Sequence, residues 1–182
     1  MLIFFFEGIN QVFKSFLKIV YLNTYPVPEN YFFTSKLSVM GTVSSILKSK
    51  GYTIFSIPPD ITVYEALEIM VDKNVSALPV IDNGKLIGIF SERDYARKVI
   101  LKGKSSKETT IGEIMTDDAI TVKPGHTIEE CMQLMTSKYT RHLPVIENDE
   151  LIGIISIGDV VKFMIEEQQF IIENMEHYIK ST

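Results

Sequence analysis

Apolar positions along this chain change their period several times, and the changes recur in the same order. Val63, Ala66, Leu67 and Met70 fall at helical spacing, as do Ile128, Cys131, Met132 and Met135, so each set shares one face of a helix. Each run is preceded by a threonine with a glutamate three residues later, Thr62 with Glu65 and Thr127 with Glu130. That is the capping-box pattern, in which hydroxyl and carboxylate each satisfy an otherwise orphaned backbone N–H. Two capped helices, each with a core-facing stripe, are predicted.

Each helix gives way to two short apolar runs around a polar turn, Asp82-Asn83-Gly84-Lys85 in one place and Glu147-Asn148-Asp149-Glu150 in the other. Asn-Gly supplies the two positive-φ positions of a two-residue hairpin, which predicts antiparallel strand pairs. Short apolar runs at 54–57 and 120–122 predict one more strand before each capped helix. Behind the hairpins the period reverts to helical: "RDYARKVILKG" stops at Gly103, whereas "GDVVKFMIEEQQFIIENMEHYI" runs on much longer. The order strand, helix, strand, strand, helix therefore occurs twice. It predicts an α/β (α+β) fold of two tandem β-α-β-β-α repeats packed as a pseudo-two-fold pair.

The recurrence is also one of residues. "LPVIDNGKLIGIFSERD" (78–94) and "LPVIENDELIGIISIGD" (143–159) are offset by 65 positions and share 11 of 17 residues. Upstream, "VSSIL" (43–47) matches "IGEIM" (111–115) at an offset of 68, so the first unit carries three extra residues after its lead-in. Units are expected at 41–103 and 108–180, each too small to bury a core alone. Residues 1–39 stand apart, with ten of the nineteen Phe and Tyr residues and an amphipathic helical pattern near the start. Their longest apolar run, residues 2–6, is far short of the roughly 20 residues that span a bilayer, so no transmembrane span is expected there. Folding and binding are expected to survive without them.

Composition narrows the function classes. A net charge of −5 argues against nucleic-acid binding, which wants a basic face. The lone Cys131 excludes an intrachain disulfide framework, and a cytoplasmic setting is expected. His126, His142 and His177 show no metal-ligand spacing, and no Gly-rich phosphate loop is present, so neither a metal site, a required cofactor nor catalysis is expected.

Each copy ends in Ser-x-x-Asp where strand meets helix, Ser91 with Asp94 and Ser156 with Asp159. A helix start suits an anion such as phosphate, and an ionised carboxylate one turn on can accept both hydroxyls of a ribose diol. The same residues equally suit simple capping of the helix. All three arginines, Arg93, Arg97 and Arg141, lie in or near the repeated segments, and Arg141 with His142 stands where the first copy has Ser76 and Ala77.

Together "VSALPVIDNGKLIGIFSERD" and "TRHLPVIENDELIGIISIGD" resemble the two halves of a tandem cystathionine-β-synthase-type (CBS) domain pair, the Bateman module, over about residues 41–180. The resemblance implies an adenosine-nucleotide sensor for AMP, ADP, ATP or NAD(H), whose Asp holds ribose and whose Ser lies near ribose and phosphate. It assigns Asp94, Ser91, Ser76 and Ala77 to one site, dependent on Arg93 for charge, and Asp159, Ser156, Arg141 and His142 to the other. Ser56 and Thr121, just after the first strands, are weaker candidates. A regulated partner protein is implied as well; separately, the final helix is longer than its own unit can cover, and its apolar stripe of Met164, Ile171, Ile172, Met175, Tyr178 and Ile179 predicts a homodimer. The competing reading is a ligand-independent dimerisation or protein-interaction module, in which Ser-x-x-Asp only caps.

Overall fold

Helix α1 (Val43–Lys50) is the first of the described elements and is followed by α2 (Val63–Lys73), then the hairpin β1 (Ala77–Asp82) and β2 (Lys85–Ser91). The computed structural model describes residues 41–180, with side chains as far as 174; the expectations for residues 1–39, and for Met175, Tyr178 and Ile179, lie outside the described residues. A helical stretch closes the first unit as a three-residue α turn, α3 (Glu92–Asp94), a π turn (Tyr95–Val99) and a 3-10 turn (Ile100–Lys102). The second unit follows as β3 (Thr116–Asp117), α4 (Ile128–Ser137), β4 (His142–Glu147), β5 (Glu150–Ser156) and the 24-residue helix α5 (Ile157–Lys180).

The local rules act as the sequence predicts. Thr62 accepts from the Glu65 N–H at 3.2 Å while its own N–H donates to Glu65 Oε2 at 2.8 Å, and Thr127 with Glu130 repeats both bonds at the same lengths. Both hairpins turn on two positive-φ residues, Asn83 and Gly84 at 48° and 77°, and Asn148 and Asp149 at 51° and 63°. Asp149 adopts this conformation despite its Cβ, which glycine at that position avoids. The strands predicted at 54–57 and 120–122 shrink to single residues: Ile57 bridges Val80 and Val122 bridges Val145, each in parallel pairing. Pro79 and Pro144 leave only carbonyls to offer beside them, and these accept from the Ile57 and Val122 N–H groups at 3.0 Å.

The cores are shared across the repeat. Val43, Ile46 and Leu47 of α1, at the start of the first unit, pack with Ile128, Cys131, Leu143 and Ile155 of the second. Reciprocally, Ile111 and Ile114, at the start of the second unit, pack with Val63, Leu78 and Phe90 of the first. Backbone bridges repeat the exchange, Thr42 with Thr127 and Thr110 with Thr62. Two glycines at the same register, Gly88 and Gly153, receive these incoming segments. A Cβ on Gly153 would stand 2.6 Å from Leu47 Cδ2, and one on Gly88 would stand 2.8 Å from the Thr116 carbonyl oxygen and 2.9 Å from Met115 Sδ. Leu47 and Met115 are themselves matched positions, 68 apart.

Helix α5 extends about 36 Å at 1.5 Å per residue. Ile171 and Ile172 are exposed as expected, but Met164 packs against the second core instead of joining the exposed stripe. Among the described residues no helix is long and apolar enough to cross a membrane.

Overpacking at the exchange should be costly. Gly153→Ala is expected to lower unfolding free energy by about 1–3 kcal/mol and Leu47→Ala by about 2–5 kcal/mol. In the double variant the small side chain at 47 accommodates the new Cβ, so the losses should sum to less than additive. Urea denaturation of the four proteins measures this; strict additivity would show that Leu47 and residue 153 do not meet.

Candidate functional site

Both Ser-x-x-Asp clusters form at the junction of the second hairpin strand with the helix behind it. Asp94 Oδ2 accepts from Ser91 Oγ at 2.6 Å and from the Ser91 N–H at 3.1 Å, while the Asp94 N–H donates to Ser91 Oγ at 3.3 Å. Asp159 Oδ2 accepts from Ser156 Oγ and the Ser156 N–H, both at 2.7 Å, and the Asp159 N–H returns to Ser156 Oγ at 3.2 Å. One carboxylate oxygen is thus used for capping in each copy, and the other decides what else the cluster can do.

The residues before the core strands sit beside these clusters in both copies. The Glu92 N–H donates to the Ser76 carbonyl at 3.3 Å, and the Ile157 N–H to the Arg141 carbonyl at 2.9 Å. Ala77 pairs with Ser91, and His142 with Ser156, across their hairpins. Ser76 and Ala77 are therefore brought to Ser91 and Asp94, and Arg141 and His142 to Ser156 and Asp159, as expected. The two groups also touch each other, because Ser76 Oγ lies 3.0 Å from His142 Nε2. Ser56 and Thr121 are exposed residues next to the Ile57 and Val122 bridges, and neither hydrogen-bonds to a cluster among the described residues.

Arg93 does not serve Asp94. Its Nη1 donates to the Tyr139 carbonyl at 2.6 Å, tying the start of α3 to the second unit. The cation at Asp94 is Lys98, one turn on, with Nζ 3.0 Å from Oδ1. The Thr116 hydroxyl donates to the same oxygen at 3.0 Å, so both oxygens of Asp94 are engaged within the chain. At Asp159 the added partner is Lys50 of α1, whose Nζ is 2.7 Å from Oδ2 and donates also to the Ile154 carbonyl at 3.1 Å. Among the described residues Oδ1 of Asp159 has no hydrogen-bond partner. Thr116 and Lys50 both come from the exchanged lead-in segments. Only the 68-residue offset of those segments hinted at their part, and it says nothing about what they meet.

Charge differs between the clusters. Burial is the largest single influence on Asp159 and pushes its carboxyl up; the hydrogen bonds from Lys50 and Ser156, with the Lys50 charge, outweigh it and hold the group below its usual 3.8. It is a carboxylate at neutral pH. Burial, then the nearby charges of Arg141 and Lys50, push His142 below its usual 6.5, against an upward pull from Asp159. Cys131 is raised to about 11 by burial, with a smaller push from Glu130, so it stays an inert core thiol at neutral pH.

The family profile described as CBS domain matches residues 43–100 and 111–166. The chain is 42% identical over 148 residues to the mitochondrial CBS domain-containing protein CBSX3 of Arabidopsis thaliana, covering 76% of this chain and 72% of that one. It superposes with a TM-score of 0.68 on a protein with CBS domains from Burkholderia ambifaria, at 47% identity over 70% of this chain and 96% of the other. It also superposes with a TM-score of 0.60, at 28% identity, on the CBS domain pair of protein MJ0100 solved with 5-methylthioadenosine and S-adenosyl-L-methionine, covering 66% of this chain and 93% of that one.

His142 makes folding proton-linked. A base whose folded value is depressed contributes stability that is complete above its unfolded value near 6.5 and is lost as the pH falls through the lowered one. Thermal melts between about pH 7.5 and pH 5 should therefore fall more steeply for the wild type than for His142→Gln. Parallel profiles would show that the ring's burial carries no such penalty.

Proposed function

The chain belongs to the CBS-domain family, with two copies of the domain in tandem, and from this premise we propose that it is a regulatory module that binds an adenosine nucleotide and reports its occupancy to a partner protein. AMP, ADP, ATP and NAD(H) are the proposed ligands, so that the module senses energy or redox state, and the proposed setting is the cytoplasm. The MJ0100 pair, with its adenosine-containing ligands, supports the ligand class. One observation carries the reading for this chain: Asp159 is an ionised, half-buried carboxylate with Oδ1 unengaged among the described residues, and Arg141 and His142 lie against the same strand end. A ribose diol fits Oδ1, the Arg141 guanidinium fits phosphate, and the neutral His142 ring offers a hydrogen bond beside it.

The proposed site residues around Asp159 are Ser156, Arg141 and His142, with Thr121 at its edge. The proposed counterpart is Asp94 with Ser91, Ser76 and Ala77. Binding there requires displacing Thr116 or Lys98 from Asp94 Oδ1, which makes the Asp159 side the stronger site.

At about hundredfold excess over the dissociation constant, a ligand adds roughly 2.7 kcal/mol to folding stability. A panel of AMP, ADP, ATP and NADH should raise the wild-type melting temperature for at least one member. Asp159→Asn should weaken that ligand by about one to two powers of ten, with a smaller loss for Asp94→Asn. Unaltered affinity in both variants would refute the ribose assignment.

A second reading has its own observation. Ile157, Val161, Ile165 and Ile172 share one face of α5 and are all exposed. Such a stripe favours association, and we propose a homodimer through it, compatible with nucleotide binding and sufficient by itself if no adenylate binds. Light scattering at micromolar concentration should give a dimer mass for the wild type and a monomer mass for Ile165→Glu; a monomeric wild type would exclude this interface.

A further inference from the structure

Lys50 stands at the Asp159 site in a way that neither repeat alone explains. It belongs to the last turn of α1, in the lead-in of the first unit, yet its ammonium rests on Asp159 Oδ2 at 2.7 Å and on the Ile154 carbonyl at 3.1 Å. The residue matched to Asp159 in the first unit, Asp94, meets a neutral hydroxyl from its own exchanged segment, Thr116, at 3.0 Å. The exchange thus delivers a full positive charge to one site and none to the other. At the first site the added cation, Lys98, is local to the helix and is spread over three acceptors, Asp94 Oδ1, Thr116 Oγ1 and the Met115 carbonyl, each at 3.0 Å.

Around Asp159 the fixed charges do not cancel. Lys50 and Arg141 carry two positive charges against one carboxylate, with His142 beside them. In a chain of net charge −5 this local excess runs against the overall sign, and it favours a ligand that brings negative charge of its own. The Lys50 side chain is partly solvent-exposed, at 37%, and ends a flexible four-carbon stem, so its ammonium can pivot while its backbone stays fixed in α1.

We propose that Lys50 is the phosphate-selecting residue of the Asp159 site: it neutralises the carboxylate in the empty site and turns to the ligand's phosphate when a ribose diol takes Asp159. It favours nucleotides over nucleosides at that site. The Asp94 site, whose exchanged segment supplies Thr116, lacks the device. This inference rests on the adenosine-nucleotide reading above and adds to it the basis for discrimination by charge.

Calorimetric titration of the full chain with AMP and with adenosine tests it, in the wild type and in Lys50→Gln and Lys50→Arg, after unliganded melts have shown each variant folded. The wild type should prefer AMP over adenosine by about tenfold or more. Lys50→Gln should lose that preference through weaker AMP binding, with adenosine bound about as well as before, since its ribose takes Oδ1 and Lys50 holds Oδ2. Lys50→Arg should keep most of the preference. An undiminished AMP preference in Lys50→Gln, or an equal loss of both ligands, overturns the selector role while leaving adenosine binding standing. A wild type that binds neither ligand overturns both this inference and the functional reading beneath it.

Discussion

The close approach of each lead-in segment to a glycine of the opposite repeat is the constraint on which the rest depends. Leu47 lies where a Cβ of Gly153 would be, and Met115 with the Thr116 backbone lies where a Cβ of Gly88 would be. Neither unit can close its core without the other's preceding segment, because Val43, Ile46 and Leu47 complete one cluster and Ile111 and Ile114 the other. A sheet with one open face and one capped helix buries too little apolar surface to be stable alone, and reciprocal exchange supplies the missing layer at both ends. The pseudo-two-fold relation of the repeats follows from making the same contact twice.

The glycine contact also sets the chemistry. Gly88 and Gly153 lie three residues before Ser91 and Ser156, so whatever packs on the glycine ends close to the Ser-Asp cluster. In the first unit that neighbour is Thr116, adjacent to Met115; in the second it is Lys50, one turn beyond Leu47. Structural exchange and functional asymmetry are therefore one arrangement. Two nearly identical motifs acquire different charge because the segments laid on them differ.

The helices behind the motifs widen the difference. Behind Asp159 the peptide dipoles align over the 24 residues of α5, whereas behind Asp94 regular α geometry lasts three residues before the π and 3-10 turns. An anion near either serine meets a helix start, but the helix behind Ser156 is longer and regular. Lys98 in the first unit matches Phe163 in the second, which packs over Gly41. A cation beside the carboxylate in one copy is thus replaced by an aromatic ring facing the core in the other.

Much of the fold was legible in the sequence because its determinants are local. Thr62 with Glu65 caps one helix and Thr127 with Glu130 the other, Asn83-Gly84 turns a hairpin, and the 65-residue offset announces two copies; each rule acts within a few residues. The pairing of Ser91 with Asp94 and of Ser156 with Asp159 was legible for the same reason. The predicted strands at 54–57 and 120–122 were overdrawn, since an apolar run does not reveal how many of its residues find a partner, and only Ile57 and Val122 do. The contact of Arg93 with Tyr139 was not legible, because proximity in sequence does not say which way a side chain leaves a helix start. Lys50 was invisible, being 109 residues from the carboxylate it meets. The sequence by itself determined the elements, the caps, the turns and the two motifs, through interactions between near neighbours. Only the tertiary structure decided which segment lies on which glycine, and so which carboxylate receives an ammonium and which a hydroxyl, because that choice depends on the packing of the two cores against each other.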